Sequence, residues 1–412
     1  MNGNGCKKTI RPAGSFFLLL AVFVLLLGST AAADGMELPD FEEIEILPPD
    51  ATLNARDKEW HTPGEGSPVR CNHENCYWNT PMGYTDEDAV WKMLMTPVTV
   101  LDISQRKQYK VRQYPDRNCT EYTGEVTGES QGVHVLERGE EWSLIEAYSS
   151  STEGSKVKVW AKKFQGYVET SLLREVEVDD KYALVIDKQW QRLYVYKEGK
   201  LFTTLLCSTG FYNPQKKNPW NETPAGEFLC ISWTGNFTLK REETGEDYML
   251  CRNAIRINDG ILIHEVPYLQ IQSTGEWQYD RCENVLGEKA SHGCIRVQRK
   301  LTPEGVNHDW LWKNLSDGTK KGKKYTKVVI WDDAGRTLGY PSDDLTLYYN
   351  PGGKYYHSKD RCYSAEEKYW PLKPFTYGEL DEKPYSKLKC CPYCNPMPRT
   401  ADIDTINKKN DR

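Results

Sequence analysis

The sequence predicts a mainly β protein with a small barrel, a larger β-rich domain and a small C-terminal Cys/His module. Three observations point that way. Short alternating segments broken by Gly turns run from about residue 95 to residue 333. Helical periodicity is weak and centres on the HDWLWKNL stretch. Cysteines and a histidine cluster again near the C-terminus. With 412 residues, 39% of them hydrophobic and 12% aromatic, the chain is long enough for two or three cores.

Residues 1–33 stand apart. Lys7, Lys8 and Arg11 precede an apolar run from Phe16 to Leu27, and Ala31-Ala32-Ala33 closes it. That pattern is a secretory signal, or an uncleaved N-terminal anchor of nearly membrane-spanning length. Either reading places the rest outside the cytoplasm, secreted or held at the cell envelope. No cysteine follows the apolar run, so a lipoprotein anchor is not indicated.

Residues 34–94, acidic and Pro-rich, read as an extended linker. Within them Cys71 and Cys76 suggest a local disulfide rather than a metal site. Residues 95–178 hold the strand-like segments TPVTVLDI, GVHVLERGEEWSLIEAYSS, KVKVWAKK and GYVETSLL. Here Trp142 and Tyr148 read equally as a ligand groove or as core.

Residues 179–333 open with YALVID, RLYVYKEG and KLFTTLLCSTG, a meander with Glu198-Gly199 as a tight turn. GEFLCISW, AIRIN, GILIHEV and a closing KVVIWDD continue the pattern. Cys207, Cys230 and Cys251 read as buried structural residues, and Cys282 as a possible disulfide partner for one of them. Residues 334–398 form the Cys/His module, and the charged residues 399–412 a disordered tail.

The net charge is −6, and the three charges in residues 1–33 are all basic, so the remainder is more acidic still. An acidic chain without a basic patch argues against nucleic acid as the partner.

Ser291-His292-Gly293-Cys294-Ile295-Arg296 carries the clearest chemical signal. A thiol with a pKa near ~8.5 is mostly protonated at neutral pH, so a nucleophilic cysteine needs a base. His292 stands only two positions away, where its side chain points along its own turn. His264, at the end of GILIH, can arrive on a neighbouring strand and is the expected general base. His292 is then a site-shaping residue.

The ordered set STG (208–210), TPAGEF (223–228), IHE (263–265) and SHGCIRV (291–297) resembles the L,D-transpeptidase family, over somewhat more than a third of the chain. The resemblance implies a β-rich catalytic domain with Cys294 as nucleophile and His264 as its base. It implies that the carbonyl after the histidine, that of Glu265, fixes the imidazole tautomer. It implies acyl transfer on peptidoglycan stem peptides through a Cys294 thioester, and acylation of the same thiol by β-lactams of the carbapenem class. No cofactor is needed for that catalysis.

Gly293 and the backbone around Cys294 are expected to hold the oxyanion, with Ser291 beside them. Arg296 reads as a substrate-carboxylate receiver or a structural ion-pair partner, and Tyr248 as a residue over the site. Two departures stand out: Glu265 replaces the family's usual glycine, bringing a carboxylate expected to alter donor choice or raise the base's pKa, and the segment from His264 to Ser291 is long enough for a lid or specificity loop. Residues 95–178 resemble a bacterial SH3-like domain, which implies peptidoglycan binding or packing on the catalytic domain.

In the last module His357, Cys362, Cys391 and Cys394 have the spacing of a closed structural zinc site, and so small a module offers little core of its own. Disulfides are the rival reading in an extracytoplasmic chain, and Cys390 is an alternative to Cys391. No HExxH pattern points to a catalytic zinc.

Overall fold

The computed structural model describes residues 87–101, 109–113, 120–124, 134–152, 158–211, 222–240, 244–258, 261–316, 318, 324–334 and 336–411. The signal or anchor, most of the expected linker and the Cys71/Cys76 pair lie outside the described residues.

The end of the segment expected to be extended is a helix, α1 (Glu87–Met95). Val90, Met93 and Leu94 recur at helical spacing and are buried. Its C-terminus is held by Lys327, a fully buried lysine whose Nζ donates to the Met93 carbonyl (3.0 Å), the Thr96 carbonyl (3.0 Å) and Thr96 Oγ1 (2.8 Å). A cation there satisfies terminal carbonyls and complements the helix dipole. Glu227 Oε1, 3.4 Å away, balances the charge. The linker reading failed here because acidic and Pro-rich residues dominate the average, and the amphipathic stretch is only nine residues long.

β1 (Val98–Leu101) pairs antiparallel with β7 (Leu173–Val176). Between them come β2 (Tyr109–Gln113), β3 (Thr120–Gly124), β4 (His134–Glu137), β5 (Trp142–Thr152) and β6 (Lys158–Glu169). β2 pairs with β3 and β6, and β5 with β6, β3 and β4, all antiparallel. The pairings β2–β3–β5–β6 thus close on themselves, leaving β4 on the outside. Trp142 is half-buried, and the Tyr148 side chain lies outside the described residues.

The next domain is one sheet of eleven strands. β8 (Val178–Asp187), β9 (Arg192–Lys197) and β10 (Lys200–Ser208) form the expected meander. Glu198 (φ 48°) and Gly199 (φ 93°) both adopt the positive φ that a tight hairpin turn requires. They are followed by β11 (Gly226–Leu229), β12 (Ser232–Lys240), β13 (Asp247–Asn258), β14 (Ile261–Glu265), β15 (Tyr268–Gln270), β16 (Trp277–Gln278), α2 (Asp280–Glu283), β17 (Ile295–Val297), α3 (His308–Asn314) and β18 (Tyr325–Trp331). The order is β11-β18-β8-β9-β10-β17-β14-β13-β15-β16, with β12 paired to β13.

Alternate residues of β8, β9, β14, β17 and β18, Ile263, Ile295 and Val297 among them, fill a single core with Val306, Leu311 and Leu315 around α3. The one helix expected from the sequence in this domain is α3; Asn307 caps it by accepting from the Trp310 N–H.

The C-terminal module has β19 (Thr346–Tyr349), β20 (Tyr355–His357), β21 (Lys373–Thr376) and β22 (Lys389–Cys390) in the order β21-β19-β20-β22. It has a core of its own, larger than its size suggested. Leu347, Tyr356, Phe375, Leu380 and Met397 pack with Trp190 of the neighbouring domain, and Phe375 stacks on Tyr385 at 4.1 Å.

Residues 399–412 were expected to be disordered, yet α4 (Thr400–Asn410) is a docked helix. Ile403 is fully buried. The polar residues that suggested a solvated tail are used as anchors. Asn407 exchanges two hydrogen bonds with the Leu338 backbone, and Asn410 Nδ2 donates to Gln189 Oε1 and the Arg336 carbonyl. Arg399 donates to the carbonyls of Leu380, Tyr385 and Leu388.

Candidate active site

β14 and β17 run parallel, with Ile263 beside Ile295 and His264 beside Arg296. Since Ile263, Ile295 and Val297 face the core, strand alternation sends His264, Cys294 and Arg296 to the other face. The sheet thereby places on one face two residues thirty positions apart in the chain.

His264 is 2% exposed. Its Nδ1–H donates to the Glu265 carbonyl at 2.7 Å, which leaves Nε2 as the basic nitrogen. Burial lowers its pKa to about 3, against the opposing pull of that carbonyl, so the ring rests neutral. Raising the base's pKa was one of two effects expected of the Glu265 carboxylate, the other being a change of donor choice. The carboxylate does not raise it, because it is turned away: it accepts from Tyr279 OH (3.0 Å) and lies 3.7 Å from Arg299 Nε. An aromatic ring does meet His264, and it is Phe237 of β12, edge-on at 5.9 Å. Nothing in the sequence singled out Phe237, because its partner is set by strand register. Tyr248 is half-buried on β13.

Burial pushes the Cys294 thiol up, while the Leu262 N–H, Arg296 and Arg256 pull the other way. At rest, thiol and imidazole are therefore both neutral. Arg296 is 8% exposed and forms no ion pair among the described residues. Its positive charge favours the thiolate and disfavours a resting imidazolium.

The loop before Cys294 is tied down on both sides. Ser291, 1% exposed, donates Oγ–H to the Cys294 carbonyl at 2.5 Å and accepts the Gly293 N–H at 3.2 Å. Ser291 thus holds the turn, and in this resting loop the Gly293 N–H is committed to it. Gly293 has φ 115°, a conformation costly for any other residue. His292 is exposed. Thr223 Oγ1 donates to the Gly293 carbonyl at 2.7 Å and accepts the Gly210 N–H at 2.8 Å. Thr209 accepts from the N–H groups of Ala290 and Ser291 through its carbonyl, and Gln191 Oε1 accepts the Thr209 N–H. The STG, TPAGEF and SHGC segments are therefore one hydrogen-bonded unit.

Residues 181–330 match the YkuD family model, the L,D-transpeptidase catalytic domain. The chain carries an L,D-transpeptidase-type catalytic domain. Similar solved structures include L,D-transpeptidase 1 of Mycobacterium tuberculosis, 14% identical over 46% of this chain and 71% of that one, with a TM-score of 0.23. An L,D-transpeptidase from Mycobacterium smegmatis is 13% identical over 48% and 98%, with a TM-score of 0.26. The catalytic domain of the E. faecium L,D-transpeptidase acylated by ertapenem is 18% identical over 37% and 98%, with a TM-score of 0.22. Scores this low add no weight to the family-model match. No curated protein matches the chain.

The long segment inside the L,D-transpeptidase domain, expected to be a lid or a specificity loop, is built into the sheet, which sets aside the lid. β15 pairs with β13 and β16, Tyr268 stacks on Trp277 at 5.5 Å, and Cys282 and Leu286 are buried against Leu206 and Val266. Cys207, Cys230, Cys251 and Cys282 are all buried, and Cys282 forms no disulfide with any of the other three.

Among the described residues, two groups of three or more His, Cys, Asp or Glu side chains converge closely enough to hold a metal ion. Glu222, Asp332 and Asp333 converge, but on the buried Lys188 Nζ (2.8, 2.7 and 3.4 Å) and, for Asp333, on Lys289 as well. This is an ion network that anchors the residue before Thr223. In the C-terminal module, ligand atoms of His357, Cys362, Cys391 and Cys394 lie within 4.8 Å of one another. Cys390 stands outside that group, its thiol donating to the Pro396 carbonyl at 3.3 Å.

Proposed function

We propose that the protein is a peptidoglycan L,D-transpeptidase that joins third-position residues of stem peptides through a Cys294 thioester. The observation that carries this reading is the His264 Nδ1–Glu265 carbonyl hydrogen bond, which aims a neutral Nε2 at the face holding Cys294.

In the first half-reaction the Cys294 thiol attacks the carbonyl of the L-centre of the third, diamino-acid residue, and its proton passes to His264 Nε2. The resulting tetrahedral oxyanion is held by backbone N–H groups around Cys294; a donor of this kind is worth about 3 kcal/mol in related chemistry. Collapse breaks the C–N bond, and Nε2 returns the proton to the leaving D-alanine amine. The thioester is then attacked by an amine of a neighbouring stem, which gives its proton to His264 as the C–S bond breaks. Arg296 receives a stem carboxylate in this reading. A carbapenem would acylate the same sulfur by opening its strained lactam. The closed N-terminal β-sheet acts as an SH3-like module that holds the wall, and residues 1–33 place the enzyme outside the cytoplasm.

Intact-protein mass spectrometry tests the reading, with wild type, Cys294→Ala and His264→Ala incubated with a carbapenem and with a tetrapeptide stem. An adduct on wild type that is absent from Cys294→Ala and slow in His264→Ala supports it. Cross-linked peptide marks a transpeptidase, and hydrolysed peptide alone an L,D-carboxypeptidase. No adduct and no turnover from folded, reduced protein would leave a non-catalytic peptidoglycan-binding scaffold.

A further inference from the structure

We infer that His357, Cys362, Cys391 and Cys394 hold a structural zinc ion whose knuckle, residues 391–394, braces the wall of the catalytic domain at residues 282–287.

The donor set fits zinc. Zinc bonds of about 2.3 Å to sulfur and about 2.0 Å to imidazole nitrogen, at tetrahedral angles, place two sulfurs about 3.8 Å apart and sulfur and nitrogen about 3.5 Å apart. Cys362 Sγ and Cys391 Sγ are separated by 3.9 Å, and Cys394 Sγ and His357 Nδ1 by 3.6 Å. A disulfide requires about 2.0 Å between sulfurs, so the Cys362–Cys391 spacing is that of two ligands of one ion.

The loops are shaped for the same task. The Asn395 N–H donates back to the Cys391 carbonyl at 3.0 Å, and Asn395 takes a positive φ of 45° to complete the turn. The Ala365 N–H closes a similar turn on the Cys362 carbonyl at 3.0 Å. The Ser358 N–H donates to Cys394 Sγ at 3.3 Å, and Ser364 Oγ lies 3.0 Å from Cys362 Sγ and 3.1 Å from Cys391 Sγ. Donors around sulfur stabilise thiolate ligands. Cys391 is fully buried, Cys362 2% exposed and His357 4% exposed, with Cys394 half-buried, and four protein donors complete a tetrahedral set, as in a structural zinc site.

What this knuckle touches gives the site its consequence. The Pro392 carbonyl accepts from Arg192 Nη2. Pro392 sits so close to Gly287 that a Cβ added to that glycine would lie 3.5 Å from it. The Tyr393 ring packs on Leu206, Val266, Cys282 and Leu286. Tyr363, beside Cys362, meets Tyr393 at 5.4 Å, and its carbonyl accepts from Lys300 Nζ at 2.9 Å. The braced segment is in turn bonded to the STG strand. The Gly287 N–H donates to Ser208 Oγ (3.1 Å) and the Cys207 carbonyl (3.1 Å), and Ser208 Oγ donates to the Val285 carbonyl (3.1 Å). Ser208 is the register partner of Arg296, two residues beyond Cys294. Because the module has a hydrophobic core of its own, loss of the metal should loosen the knuckle and the 282–287 wall locally rather than unfold the chain.

The test uses the full chain purified from zinc-supplemented culture. Elemental analysis should find about one zinc per chain, and cobalt exchanged into the site should show tetrahedral thiolate absorption bands. Cys391→Ser should lose the metal, whereas Cys390→Ser and Cys294→Ala should keep it. Chelation should raise hydrogen exchange in both 391–395 and 282–287. A metal-free chain whose mass shows two hydrogens lost per disulfide would overturn the site. Zinc retained in Cys391→Ser would do the same. Bound zinc with unchanged exchange at 282–287 on chelation would overturn the brace. None of these readouts uses catalysis, so they stand or fall separately from the proposed reaction.

Discussion

Thr223 and Gly293, seventy residues apart in the chain, are joined by one buried hydroxyl. The Thr223 side chain is fully buried, donates to the Gly293 carbonyl and accepts the Gly210 N–H, so it locks three separate segments around Cys294. Thr223→Val keeps the shape but leaves a buried N–H and a buried carbonyl without that partner. The variant should unfold about 1–3 kcal/mol more easily in denaturant titration, and its acylation by a carbapenem should slow. A Thr223→Val protein as stable and as fast as wild type would show that the bridge is dispensable.

His264→Gln removes the base while keeping a side chain of similar reach. Acylation of Cys294 should slow by about 10²–10⁴-fold, measured as the rate of adduct appearance by mass spectrometry. Cys294→Ala should give no adduct at all. Equal rates for His264→Gln and wild type would move the base elsewhere.

The pH dependence follows from the depressed basicity of His264. An ordinary histidine would be mostly protonated by about pH 5, and so useless as a base. With a pKa lowered to about 3, His264 should stay competent, and acylation should show no histidine-type fall between about pH 7 and about pH 5. Stability carries the opposite sign. Burial also lowers His308, to about 4. Between these values and the ordinary 6.5 the unfolded chain binds more protons than the folded one. Stability should therefore be complete above about pH 6.5 and fall as pH drops from there towards the folded values. Thermal unfolding across that window, compared with His308→Gln, measures the contribution.

Lys327→Met should release α1. The substitution takes the buried ammonium away from Glu227 and from the Thr96 carbonyl, while the Met93 carbonyl keeps only the Thr96 hydroxyl and N–H. A cost of about 3–5 kcal/mol is expected for breaking such a pair. Limited proteolysis should begin to cut within 87–96, and adding Glu227→Gln should recover part of the loss. Unchanged protection of that segment would show that α1 docks by its apolar face alone.

The candidate site was legible in the sequence because a cysteine and a histidine in a fixed motif order are uncommon. The hydrogen bond between His264 Nδ1 and the Glu265 carbonyl, expected from the resemblance, is present in the fold. The alternating segments of 179–333 and the Glu198-Gly199 turn were legible too, since strand period and positive φ leave local marks. Phe237 and Gln191 were not readable as partners of the site, and Thr223 was marked only as the start of TPAGEF, because their roles come from strand register and from contacts across the sheet.

Composition misled where a few residues decide the outcome. α1 hides at the end of an acidic, Pro-rich stretch, and α4 consists largely of polar residues that suggested a tail. Sequence by itself marked the candidate reactive residues, because that depends on residue type and order. Only the tertiary structure decided that burial keeps thiol and imidazole neutral, that Glu265 points away, that the long segment is wall rather than lid, and that Cys391 rather than Cys390 joins the cluster of His357, Cys362 and Cys394. Each of those depends on which groups the folded chain removes from water and which it brings within hydrogen-bond reach.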